Sequence, residues 1–109
     1  MTAKIQNSPR MMDAFELIAQ ERIHQKRMLA GGQILFNCDS PVVDDHRKLR
    51  VLMEEVGEVA DAIERLEKVE AKKQQKGDTG QMKAARIHLR AELIQIAAVA
   101  IAWLETENR

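Results

Sequence analysis

Met53-Glu54-Glu55-Val56-Gly57-Glu58-Val59-Ala60 lies inside a segment, from about His46 to about Lys73, whose apolar residues recur at helical spacing. On a wheel of about 100° per residue, Leu49, Leu52, Met53, Val56, Val59, Ala60 and Ile63 gather into one apolar stripe. Glu54, Glu55 and Glu58 lie to one side of it, with Glu55 at its edge. Residues three and four apart are neighbours on a helix, so the carboxylate of Glu58 repels those of Glu54 and Glu55 unless a cation lies between them. The segment predicts a long amphipathic helix with chemistry on its flank.

Toward the N-terminus, Asp44 and Asp45 stand where they can cap this helix and favour its positive end. Gly31 to Asp45 shows no convincing period and reads as a loop long enough to cover a site. Before it, Met12, Phe15, Ile18, Ala19, Ile23 and Met28 follow helical spacing between an entry at Ser8-Pro9 and a stop at Gly31-Gly32. The other side of that helix carries Glu21, Arg22, His24, Gln25, Lys26 and Arg27, a solvated face by the general rule for charge runs. The competing reading gives Arg22, Gln25 or Lys26 to phosphate or base contacts. Residues 1–10 read as a flexible leader.

Toward the C-terminus, Arg65 to Lys73 alternates in charge as solvated helix surfaces do, and Gln74 to Gln81 reads as a turn-forming linker. A third helix follows from about Met82 to near Glu105, with 106–109 as a tail. The expected fold is therefore all-α, a bundle of three long helices forming a single domain over 1–109.

Composition narrows the function. A chain of 109 residues, 45% hydrophobic, has enough for one core and too little for two ordinary domains. Seventeen basic and seventeen acidic side chains cancel, so no overall field draws the chain to nucleic acid or membrane. Two Phe, one Trp and no Tyr disfavour base-stacking platforms. Cys38, alone, excludes an internal disulfide and fits a reducing compartment, so a cytoplasmic location is expected. The longest nearly apolar run, Leu93 to Leu104 interrupted by Gln95, falls short of the roughly 18 to 20 residues that span a bilayer. It predicts a helix enclosed by protein on most sides.

A carboxylate heading such a helix is expensive to bury unless paired, hydrogen-bonded or metal-bound, which draws attention to Glu92. His88, Glu92, Gln95 and Val99 are separated by four, three and four residues and line one narrow stripe. Antiparallel packing across the linker would turn this stripe toward Glu54, Glu55 and Glu58. Such carboxylates, with no thiolates or histidine pair, suit a hard cation, Mg²⁺ or Mn²⁺, completed by waters and substrate phosphates. Spacing alone leaves the alternative open, in which Glu54 and Glu58 face solvent and Glu92 pairs with Arg50, Arg86 or Arg90.

Leu52 to Ala60, followed by Ala91-Glu92-Leu93-Ile94-Gln95-Ile96-Ala97-Ala98-Val99-Ala100, resembles the MazG-like branch of the all-α nucleoside triphosphate pyrophosphohydrolases. The resemblance covers roughly His46 to Glu105. It implies a Glu-Glu-x-x-Glu motif and a Glu-x-x-Asp motif that together bind Mg²⁺, and cleavage of a nucleoside triphosphate into a monophosphate and pyrophosphate. Carried over, Glu55 and Glu58 would be metal ligands from the first motif and Glu92 from the second. Glu54 and Glu55 would be the catalytic carboxylates, and Arg22, Gln25, Lys26 and His88 are candidate substrate contacts. Where the family has Asp, this chain has Gln95, which offers a neutral carbonyl oxygen in the metal shell. A binding or assembly module with a degenerate site is the reading that Gln95 favours. Family members assemble as dimers or tetramers. Ile94, Ile96, Val99, Ile101 and Trp103 point in many directions and independently predict a homo-oligomer.

Overall fold

The computed structural model describes residues 8–32, 43–76 and 79–108, which contain three helices and no strand. These are α1 (Pro9–Ala30), α2 (Asp45–Lys76) and α3 (Thr79–Glu107). The expected leader, most of the expected loop before α2, and Gly77-Asp78 lie outside the described residues. The interval between α2 and α3 is shorter than the expected Gln74 to Gln81 linker, because both helices extend into it.

Local chemistry sets the ends. Ser8 Oγ accepts from the Met11 N–H at 3.1 Å, and Pro9, whose missing N–H costs nothing in the first turn, starts α1. Gly31 donates to the Arg27 carbonyl at 2.9 Å and Gly32 to that of Leu29 at 3.1 Å. Gly32 does so at φ 77°, a left-handed conformation that a side chain would strain. Asp44 Oδ1 accepts from the Arg47 N–H at 2.8 Å and caps α2, with Asp45 in the first turn, as the sequence predicts.

α3 is the central element. α2 packs on one side of it and α1 on another, while α1 and α2 do not meet. Lys48–Thr106 at one end and Glu70–Arg86 at the other make α2 antiparallel to α3. Arg10 and Asp13 lie beside Arg90, and Arg22 meets Glu105, so α1 runs parallel to α3. The result is flat and open, 53 × 47 × 25 Å. Its radius of gyration is 17.3 Å, against about 13 Å for a compact domain of this length.

The α2–α3 joint follows a heptad seam. Among the less exposed residues of α2, Lys48, Leu52, Glu55, Val59, Ala62, Leu66 and Val69 recur at alternating steps of four and three, with Val51 and Glu70 beside them. Facing them, Ala85, His88, Glu92, Gln95, Val99, Ala102 and Thr106 continue with the same steps. The buried hydrophobic side chains among the described residues are mostly small: Ala62, Ala85, Ala98 and Ala102, with Leu66 and Val99.

This seam is not the apolar stripe that the sequence singles out. Leu52 and Val59 join it, but Leu49, Met53, Val56, Ala60 and Ile63 sit about 100° further round α2 and stay exposed. The same displacement occurs on α1, where Met12, Phe15 and Ile23 are about half exposed. Arg22, expected on the solvated side, is instead 4% exposed. α3 is not enclosed either, with Ile87, Leu93, Ile101 and Leu104 open to solvent. Gly80–Glu107 is also long and apolar enough, by composition alone, to cross a membrane, a property it shares with core helices of soluble proteins. Each correction has one physical origin: contact with α3 takes the line carrying Lys48, Glu55, Arg22 and Gln25, and leaves the adjoining apolar lines uncovered.

Candidate metal centre

The seam brings three carboxylates together. One oxygen each of Glu55, Glu58 and Glu92 lies within 4.8 Å of the other two. Glu55 and Glu92 are half-buried at seam positions, and Glu58 is exposed one turn along α2 from Glu55. The seam residues that follow on α2 are Val59 and Ala62, and the buried Ala62 fills little space. Oε2 of Glu55 and Oε2 of Glu92 are both buried without a hydrogen-bond partner. Buried polar atoms are rarely left so, and two carboxylate oxygens in that state next to a third carboxylate call for a proton or a cation.

The electrostatics agree. The Glu55 carboxyl is pushed up to about 7, first by burial and then by the charge of Glu58, with Glu92 and Glu54 adding to it. Glu92 is raised as well, first by burial and then by Glu58, while the charge of His88 opposes the rise. A divalent cation would replace the shared protons. Oxygens around Mg²⁺ stand about 3 Å apart when adjacent and about 4.2 Å when opposite, so small side-chain rotations from the present spacing would accommodate it.

Other sequence candidates are dispersed. Gln95 lies half-buried on the seam one turn beyond Glu92, and His88 one turn before it, so both border the carboxylates. Glu54 is exposed and lines a separate cleft of about 610 Å³ with His46, Arg47, Arg50 and Val51. It reaches the cluster only through its charge on Glu55.

Arg22, Gln25 and Lys26 are elsewhere. Nε and Nη2 of Arg22 donate to Glu105 Oε2 at 2.8 and 2.5 Å, and Nη1 donates to Gln25 Oε1 at 2.9 Å. Lys26 Nζ reaches Glu105 Oε1 at 3.3 Å. Burial pushes the Glu105 carboxyl up, but Arg22 and Lys26 outweigh it and hold it below its ordinary value. Glu105 stands thirteen residues beyond Glu92, roughly 20 Å along α3, so within one chain this cluster does not border the carboxylates.

Sequence reasoning passed over Lys48 and Glu105. Lys48 is signalled by its phase, one heptad before Glu55 on the seam; Glu105 has no comparable signal, since its partners come from α1. No protein-family model matches the chain, and no curated protein or solved structure matches it.

Proposed function

We propose that the chain is a Mg²⁺-dependent nucleoside triphosphate pyrophosphohydrolase, releasing a nucleoside monophosphate and pyrophosphate. The observation that carries this reading is the convergence of Glu55, Glu58 and Glu92 with two buried, unpartnered carboxylate oxygens. The motif resemblance of Leu52 to Ala60 and Ala91 to Ala100 supplies the reaction class. Glu55, Glu58 and Glu92 would hold Mg²⁺, or Mn²⁺, with the Gln95 carbonyl as a neutral fourth donor. Bound there, the cation would neutralise phosphate charge and lower the pKa of a coordinated water. Glu55, in the cluster, would be placed to accept a proton from that water. Glu54, outside the cluster, would act through its charge on Glu55. His88 would border the substrate, whereas Arg22, Gln25 and Lys26 could reach it only from a second copy.

The uncovered stripes of α1 and α2 favour a homodimer or homotetramer, because an open single layer of three helices leaves Met12, Phe15, Ile23, Met53, Val56 and Ile63 in water. Light scattering is expected to give a multiple of 12.4 kDa, and the mass of one chain would overturn the assembly.

Incubation with a panel of nucleoside triphosphates and Mg²⁺ or Mn²⁺ tests the activity. Monophosphate and pyrophosphate should appear in equal amounts, and Glu58→Ala should reduce the rate by about 100-fold or more, since even residues behind metal ligands cost up to that much. A second reading, a nucleotide- or metal-binding module without turnover, is favoured by Gln95, which brings no charge where a carboxylate would complete the shell. Metal-dependent nucleotide binding without product would select it.

A further inference from the structure

We propose that Lys48 is a positioning residue for the carboxylate centre, locking the register of α2 against α3 so that Glu55 and Glu58 meet Glu92. The inference rests on the metal reading of that centre. Lys48 is 3% exposed, and its ammonium donates to the Thr106 hydroxyl at 3.1 Å. That hydroxyl in turn donates to the Trp103 carbonyl at 2.6 Å. No carboxylate pairs with Lys48 among the described residues. The last turn of α3 has no basic residue of its own, and the Lys48 ammonium joins Arg22 and Lys26 in bringing positive charge to its negative end.

Stability alone does not explain a lysine here. An apolar side chain of similar length avoids the cost of desolvating an ammonium, and such replacements of buried charges are often neutral or stabilising. Among the seam positions described Lys48 is the one lysine or arginine, and a polar residue on a helix–helix seam is best attested as a specifier of register. This seam needs one. Three of its buried residues, Ala62, Ala85 and Ala102, are alanines, whose small side chains interlock weakly and resist axial sliding poorly. Near the linker, Glu70 and Arg86 meet at 3.4 Å on the surface, where ion pairs hold little. Lys48 stands one heptad, about 10.5 Å, before Glu55 on the same face of α2. A slide by one residue rise, about 1.5 Å, would exceed the roughly 0.2 Å tolerance of a metal–ligand distance.

The test uses the full chain, with two readouts. Mn²⁺ affinity is measured by calorimetry, and a spin-label distance is measured between Asp61→Cys and Ala91→Cys on a Cys38→Ser background. Lys48→Met is expected to keep its helix content, bind Mn²⁺ about tenfold more weakly, and show a shifted or broadened distance distribution. Lys48→Arg, which keeps the donor and the charge, should recover most of both. Wild-type affinity and an unchanged distance in Lys48→Met would overturn the lock, as would Lys48→Arg behaving no better than Lys48→Met. If Lys48→Met fails to fold, Thr106→Val, which removes the acceptor, is read by the same criteria. A wild-type chain that binds no Mn²⁺ removes the metal reading, and the distance measurement then decides the register by itself.

Discussion

The two joints on α3 both bury charge, and they handle it in opposite ways. Where α1 meets α3, the buried Arg22 meets a partly exposed counter-charge, and both oxygens of Glu105 are engaged by Arg22 and Lys26. Where α2 meets α3, Glu55, Glu58 and Glu92 are brought together with no lysine or arginine paired to them among the described residues, and two of their oxygens have no hydrogen-bond partner. The first joint is electrostatically complete within one chain. The second is complete only with a proton or a metal, which is why one reads as structure and the other as a site.

Breaking the complete joint should have the largest effect on stability. Arg22→Met leaves Glu105 against an apolar groove formed by Phe15, Ile18 and Ile101. Removing one partner of a buried pair costs about 3 to 5 kcal/mol, and partial exposure of Glu105 puts this case near the lower end, about 3 kcal/mol. Denaturant unfolding measures it, and a loss below about 1 kcal/mol would show that the joint is held by its apolar contacts instead.

The incomplete joint should respond with the opposite sign. Glu55 and Glu92 have carboxyl groups raised in the folded chain, that of Glu55 to about 7, so above the ordinary carboxylate value the folded state binds more protons than the unfolded one. Their contribution is therefore fully present below that ordinary value and is lost as pH rises toward 7. Without metal, the melting temperature should fall between pH 5 and pH 8, and Mg²⁺ at pH 8 should restore it by mass action. Glu92→Gln removes one of the repelling charges. It should flatten the pH slope, raise the metal-free melting temperature at pH 8, corresponding to about 1 kcal/mol, and abolish the gain from Mg²⁺. An unchanged response to Mg²⁺ in Glu92→Gln would remove Glu92 from the ligand set.

The contrast between the joints also explains what could be read from the sequence. Helix existence was legible because Ser8-Pro9, Gly31-Gly32 and Asp44 act through the local backbone, and local rules suffice for them. The stripe His88, Glu92, Gln95, Val99 was legible because a burial pattern on α3 repeats along the seam itself. On α1 and α2 the reading failed. Met12, Phe15, Ile23, Met53, Val56 and Ile63 form the more apolar lines, and hydrophobic periodicity cannot tell which line meets a neighbour inside the chain and which is left over. Arg22 illustrates the limit: its burial depends on Glu105, eighty-three residues away, and no spacing within α1 contains that information.

Lys26 offers the smallest and sharpest test of the complete joint. It reaches the same carboxylate as Arg22, but at 3.3 Å and with about half of its side chain in water, whereas that of Arg22 is 5% exposed. Solvent screens such a pair and the long side chain loses freedom in making it, so Lys26→Ala should cost no more than about 0.5 kcal/mol. Arg22 would then account for the counter-charge nearly alone. If Lys26→Ala instead approaches the loss in Arg22→Met, a double-mutant cycle should show strong coupling between the two cations. The α1–α3 joint would then be a three-residue network of two cations on one carboxylate, the reverse in sign of the carboxylate cluster at the α2–α3 joint.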